Sequence, residues 1–331
     1  PGYPCCTFRG SVVALDVNTG ELVWKTSTVP GIDGYSGNSV WGPTPAVDPQ
    51  RGSLYVTTGN NYTVPQDVLD CVAANEGDPD AVEACMAADN HFDSIMALDL
   101  GTGEIKWATR ALPFDSWTVA CLFGGANCTS PSGPDLDFGE GPALFTVNND
   151  GKPTDLLGAG QKSGQYWTLD PDTGDVVWVT KASPGGVLGG LIWGSAVDGE
   201  RVYTANANAG RQSWDLVGGE NIDYGFWSAL DAATGEILWQ TPDPIPGNLN
   251  QGPVTVANGV VFGCSIDVDG HMYAMDAATG NVLWGFASGG SCNAGAAVVN
   301  GSVYWGSGYA SLADFLGTTG NDKLYAFEVG E

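Results

Sequence analysis

Residues 132–145 read SGPDLDFGEGPALF and set Asp135 and Asp137 two apart, with Glu140 close behind. Carboxylates can take a proton as a general base, and they offer hard oxygens to a cation. They are also the ordinary coat of a soluble surface, so the stretch has three readings: solubility, a metal site, or a base. The glycines around it allow close approach of a flat molecule. Lys162, in GAGQKSGQYWTLD, is a second group of interest, because the chain has only 11 Lys plus Arg and this one sits in an apolar, Gly-rich context. Asn60, in TTGNNY, carries an amide oxygen but is equally at home in a turn. Trp41, in NSVWGPTP, is an aromatic plate or a packing residue. His91 and His271 are the only histidines, too few for a His-rich metal centre without other ligands. There is no Ser-His-Asp order, no P-loop and no haem-attachment motif.

The elements that must position these groups belong to a long acidic chain. It has 331 residues, 43% of them hydrophobic, which is ample for a sizeable core in one or two domains. Thirty-eight acids against 11 Lys plus Arg give a formal charge of −27. That field repels nucleic acid and anionic membrane. Twelve Trp, 11 Tyr and 11 Phe argue against disorder despite the charge. No apolar run is long enough to span a bilayer. The eight cysteines form no CxxC motif. Cys71 and Cys85 close a short loop, as do Cys121 and Cys128, Cys264 and Cys292 lie near successive strands, and Cys5 and Cys6 are adjacent. An even count predicts an oxidising, secreted or otherwise extracytoplasmic setting, with the pairing left open. Glycosylation signals at Asn61, Asn127 and Asn300 fit secretion, although modification of Asn61, next to Asn60, is not expected.

The strongest organising signal is repetition. Residues 12–24 read VVALDVNTGELVW, 95–107 IMALDLGTGEIKW, 166–178 YWTLDPDTGDVVW, 227–239 WSALDAATGEILW and 272–284 MYAMDAATGNVLW, with a partial sixth copy, LYAFEVG, near the end. Each copy predicts a strand, a tight turn in which Asp and Thr bond locally and Gly frees the backbone, and a returning strand that ends in Trp. Further strands are expected at 54–59, 201–207, 259–265 and 302–308, and one short helix at 79–88. Spacings between the anchor tryptophans fall from 83 to 71, 61 and 45 residues. The shortest fits one four-stranded blade of a β-propeller, and the longer ones hold insertions near 62–90 and 118–135.

The A-x-D-x-x-T-G-x-x-x-W repeat resembles that of the pyrroloquinoline quinone (PQQ) alcohol dehydrogenases over almost the whole chain. CCTFRGSVVALDVNTG, SVWGPTPAVDP, YVTTGNNYTVP and GGLIWGSAVDG are similar to the polyvinyl alcohol dehydrogenase-like branch. The resemblance implies an all-β fold, a single propeller domain of the quinoprotein type with eight blades in the full protein. This chain would supply roughly six to seven, and the N-terminal blades would come from upstream sequence or a partner chain. It implies PQQ and calcium as cofactors, a primary or secondary alcohol, simple or polymeric, as substrate, and an external electron acceptor.

Individual roles follow from the same resemblance. Trp41 would form the floor under the quinone, Asn60 would give an amide oxygen to calcium, and Lys162 would bond the quinone oxygens. Asp137 lies 25 residues before Lys162 and would be both general base and metal neighbour. FDSWTVAC at 114–121 also resembles the family's base segment, but it would put Thr118 at the base position, so an insertion between Trp117 and Asp137 is expected. Asp135 and Asp115 are reserve bases. Gly139 stands where lanthanide-dependent relatives carry a further aspartate, so calcium fits better. The family's first ligand, a glutamate, would precede Pro1. Cys5 and Cys6 resemble an adjacent-cysteine disulfide placed elsewhere in methanol-type relatives, and Arg9 resembles an arginine before the hairpin. Cofactor contact is expected of all three, with a structural tie equally open for Arg9. The competing expectation is a carbohydrate- or protein-binding propeller whose quinone site has decayed, because similar blades occur without catalysis.

Overall fold

The computed structural model describes residues 5–42, 44–149, 151–310 and 317–328. Pro1, Pro43 and the Val329–Gly330 end of the sixth copy lie outside the described residues. Two compact units are present: residues 1–142 with 169–175, and residues 143–168 with 176–331.

Each full repeat folds as the sequence predicts, and its turn has one design. In the second copy, Asp99 Oδ1 accepts the backbone N–H groups of Gly101 and Thr102, and Gly103 N–H returns to the Asp99 carbonyl. Thr102 Oγ1 then accepts the N–H of Glu104. The same bonds close the turns at Asp16, Asp170, Asp231 and Asp276. The glycine in this turn takes a positive φ, +75° at Gly103 and +76° at Gly235, where a side chain is strained. The local rule therefore fixes Asp, Thr and Gly together.

Among the described residues, the first hairpin, Ser11–Leu15 with Leu22–Ser27, stands as a two-stranded sheet, and the other four are the last two strands of four-stranded antiparallel sheets. In the first unit the strands Ala46–Asp48, Ser53–Thr57, Ser94–Asp99 and Ile105–Arg110 lie in chain order. In the second unit Ala196–Val197, Arg201–Asn206, Phe226–Asp231 and Ile237–Pro242 form one sheet, and Thr255–Ala257, Val260–Cys264, His271–Asp276 and Val282–Ala287 another. A fourth holds Ala143–Asn149, Lys152–Gly160, Gln165–Leu169 and Val176–Lys181. In the four-stranded sheets the A-x-D strand is an inner strand, and in Ser94–Asp99 only the final residue is not fully buried. The returning strand is outer, and its tryptophan turns inward in the first and fourth copies, where Trp24 is 9% and Trp239 7% exposed, whereas Trp284 of the fifth copy is exposed.

The tryptophan has a specific neighbour, the turn glycine of the following repeat. A Cβ on Gly103 would lie 2.5 Å from the Trp24 ring, and one on Gly280 would lie 2.6 Å from the Trp239 ring. The indole N–H of Trp239 donates to the Ala277 carbonyl at 3.1 Å, and Thr241 Oγ1 donates to the Gly280 carbonyl at 2.8 Å. Gly174 meets Trp107 and Gly235 meets Trp178 in the same way. The T-G-x-x-x-W signature thus encodes the packing of one sheet on the next as well as a hairpin.

The insertion at 62–90 holds two helices, Gln66–Ala74 and Pro79–Glu83, where the sequence predicted one at 79–88. Asp78 caps the second by accepting the Ala81 N–H. The Cys71–Cys85 disulfide ties the pair together. Val68, Leu69, Val72, Val82 and Met86 bury an apolar face with Phe92.

Candidate active site

In the first unit, three segments meet at Gly59. The strand Ser53–Thr57 runs into Thr58, Gly59 and Asn60, and Gly59 N–H donates to the Ser39 carbonyl, which draws in the 38–42 segment. Thr57 Oγ1 donates to the Glu140 carbonyl at 2.6 Å, which brings the 137–141 loop alongside. A Cβ on Gly59 would lie 2.7 Å from Trp41 Nε1 and 3.1 Å from the Asp137 carboxyl carbon. Glycine is required by this close approach. The structure therefore brings Trp41, Asn60 and Asp137 together.

Asp137 is 5% exposed, and its Oδ1 accepts the Asn60 backbone N–H at 2.8 Å. The Asn60 side chain donates to the carbonyls of Asn61 and Trp117, both at 2.8 Å, which fixes the amide with Oδ1 as the remaining end. Two oxygen-bearing side chains at one corner fit a hard cation by donor type. They do not complete its shell, and no group of three or more His, Cys, Asp and Glu converges on a metal position among the described residues.

The reserve acids take other parts. Asp115 is fully buried, and its two oxygens accept the N–H groups of Asp135 at 3.1 Å and Leu136 at 2.8 Å. Burial, reinforced by the charge of Asp137, pushes the Asp115 carboxyl up to about 6. It also interacts with the Asp93 side chain, a buried acid that the sequence did not single out. Asp135 is buried with φ +59° and serves the loop bend. Arg9 donates to the carbonyls of Pro30 and Tyr35, a structural tie within the first unit. Cys5 and Cys6 pair with each other and remain partly exposed. The other cysteines pair as 71–85, 121–128 and 264–292.

Asn61 departs from its glycosylation signal. It is fully buried and exchanges side-chain hydrogen bonds with Asn38 and Asn90. Asn127 and Asn300 are exposed.

In the second unit, Lys162 is 7% exposed on the 161–164 turn. Its carbonyl accepts the N–H groups of Gly186 and Gly190, which clamps the turn against the 183–191 segment. Gln161 beside it was not foreseen. Its Oε1 accepts from Ser163 Oγ at 2.6 Å and Trp167 Nε1 at 3.3 Å, and it is fully buried. No pattern in the sequence separates it from an ordinary turn glutamine.

Comparison with known proteins decides the family. Residues 30–189 match the model described as "Glucose/ethanol/alcohol dehydrogenase, beta-propeller domain", and residues 162–326 match one described as "Outer membrane protein assembly factor BamB". A polyvinylalcohol dehydrogenase of Sphingopyxis sp. (strain 113P3) is 34% identical over 99% of this chain and 52% of its own length. The chain belongs to the PQQ-dependent alcohol dehydrogenase-like β-propeller family. A polyvinylalcohol dehydrogenase of Pseudomonas sp. is 33% identical over the same shares. Among solved structures, the quinohemoprotein alcohol dehydrogenase of Comamonas testosteroni superposes with a TM-score of 0.62 at 20% identity, covering 89% of this chain and 52% of that one. A europium-containing methanol dehydrogenase gives 0.65 at 18%, covering 97% and 70%. These likenesses support the propeller fold of this family member. The chain spans about half the length of the curated relatives it matches. No helix among the described residues is long and apolar enough to cross a membrane, and the disulfides are compatible with an extracytoplasmic location.

Proposed function

We propose that this chain carries the base side of an alcohol oxidoreductase that works with PQQ and calcium and passes electrons to an external acceptor outside the cytoplasm. The observation that carries the proposal is the corner at Gly59, where the Asp137 carboxylate and the Trp41 indole crowd a residue that has no side chain. Asp137 takes the hydroxyl proton of a primary or secondary alcohol, and the Asn60 N–H steadies its Oδ1 while it does so. Trp41 provides the aromatic face on which a planar cofactor rests, and Asn60 Oδ1 with Asp137 would hold calcium. When bound, PQQ supplies the two-electron sink, with calcium as Lewis acid. Burial of Asp137 keeps bulk water from competing for the alcohol. The carboxylates missing from the calcium shell would come from elsewhere in the full-length protein.

The similarity to polyvinylalcohol dehydrogenases supports a secondary alcohol, including a polymeric one, as substrate. Full-length protein loaded with PQQ and calcium should reduce an artificial dye with such an alcohol, and Asp137→Asn should remove that turnover while PQQ still binds. Absence of PQQ binding would leave a non-catalytic propeller.

A further inference from the structure

Asp115 has the geometry of a residue that acts through another. Its side chain is fully buried, 22 positions before Asp137 in sequence, and cannot meet an alcohol. Both of its oxygens are used on backbone N–H groups one and two residues before Asp137. The loop is shaped around it: a Cβ on Gly133 would lie 2.1 Å from Asp115 Oδ1, and Gly133 N–H donates to the Ser116 carbonyl. The backbone around Asp115 is joined to the other side of the corner. Asn61 N–H donates to the Asp115 carbonyl at 3.0 Å, Trp117 N–H donates to the Asn61 carbonyl at 2.8 Å, and the Asn60 amide donates to the Trp117 carbonyl. The circuit closes where Asn60 N–H meets Asp137 Oδ1.

We propose that Asp115 is the positioning residue for Asp137: its two charge-assisted hydrogen bonds set the 133–137 loop so that the Asp137 carboxylate stays on the Asn60 N–H. A carboxylate is suited to this because it presents two acceptors and no donor to two successive N–H groups. An asparagine would keep one acceptor and turn a donor toward the other N–H. That Asp137 is the base rests on the function proposed above. The hold of Asp115 on the loop does not.

The test is amide hydrogen exchange on the full-length protein without cofactor, read residue by residue. Asp115→Asn should speed exchange at Asp135 and Leu136, whose bonds it disturbs, and at Asn60, which it does not touch, by at least about tenfold. Asp137→Ala, which removes the acceptor, should speed Asn60 alone. Amides of the Phe226–Asp231 strand should not change in either variant. Asp115→Asn is chosen over Asp115→Ala because it preserves volume and one bond. Faster exchange at Asp135 and Leu136 with Asn60 as protected as in wild type would overturn the proposal, because Asp115 would then be a local loop support only. With PQQ and calcium, Asp115→Asn should lower kcat about 10- to 100-fold with little change in KM, the signature of a displaced base. A wild-type protein without turnover would count against the proposed function and leave the exchange result standing. Normal turnover with an unresponsive Asn60 amide would do the reverse.

Discussion

At the scale of residues, the candidate site depends on one missing side chain. Gly59→Ala puts a methyl carbon 2.7 Å from Trp41 Nε1 and against the Asp137 carboxyl. It should lower stability by about 1–3 kcal/mol, read from the urea midpoint, and weaken PQQ binding more than Asp137→Asn does. Asp137→Asn keeps the shape and an acceptor for the Asn60 N–H but loses the base, so kcat should fall at least about a hundredfold in a dye-linked assay. Asp137 stood out in the sequence because it stands at a position that resembles the family's, ahead of Lys162 and among glycines. Asp115 was legible only as a second acid. Its use as a loop anchor depends on contacts across 20 and 21 positions, which no local pattern displays. Asn61 begins a glycosylation signal, but its place beside the expected site already argued against modification, and its burial agrees with that.

At the scale of elements, the repeat is a turn and a docking rule in one. Gly280→Ala should meet both a positive φ and the Trp239 ring, whereas Gly20→Ala meets the same φ with nothing within 4 Å. The first should therefore cost about 1–3 kcal/mol more than the second in denaturant unfolding, the price of overpacking added to equal backbone strain. The turn aspartates give a pH signature. Backbone N–H groups of Thr102 and Gly101 hold the Asp99 carboxyl below its ordinary value, and the Thr279 hydroxyl and N–H do so for Asp276. A carboxyl depressed in the folded state stabilises it above the unfolded value near 3.8 and loses that contribution as pH falls through the folded value. Thermal unfolding of Asp99→Ala and Asp276→Ala should show lower stability than wild type at pH 6 and a smaller gap below pH 3. The hairpins were readable because Asp, Thr and Gly act within six residues of one another. The helix Gln66–Ala74 was not, because its 9 residues are too few to display a helical period and its stability comes from packing on Phe92 and from the Cys71–Cys85 bridge.

At the scale of the whole molecule, the sequence repeat led directly to the four-stranded sheets, and the family's propeller fold accounts for them. The disulfides join regular elements as well as loops: Cys71–Cys85 ties the two helices together, and Cys264 ends the Val260–Cys264 strand. Cys264–Cys292 spans 28 positions, and its loss should cost about 3–4 kcal/mol if the bridge acts mainly on the unfolded chain. Unfolding with and without reductant measures that directly. The acidic surface, formally −27, should make a positively charged electron acceptor faster than a neutral one at low salt, and the advantage should fade as salt rises. The most direct test of the central claim is a titration of PQQ into the full-length protein with calcium present, following quenching of tryptophan fluorescence in wild type and in Trp41→Ala. Saturable quenching that calcium strengthens and Trp41→Ala weakens at least about tenfold is the predicted result. Binding unaffected by both calcium and Trp41, or no binding at all, would contradict a quinone site at the Gly59 corner.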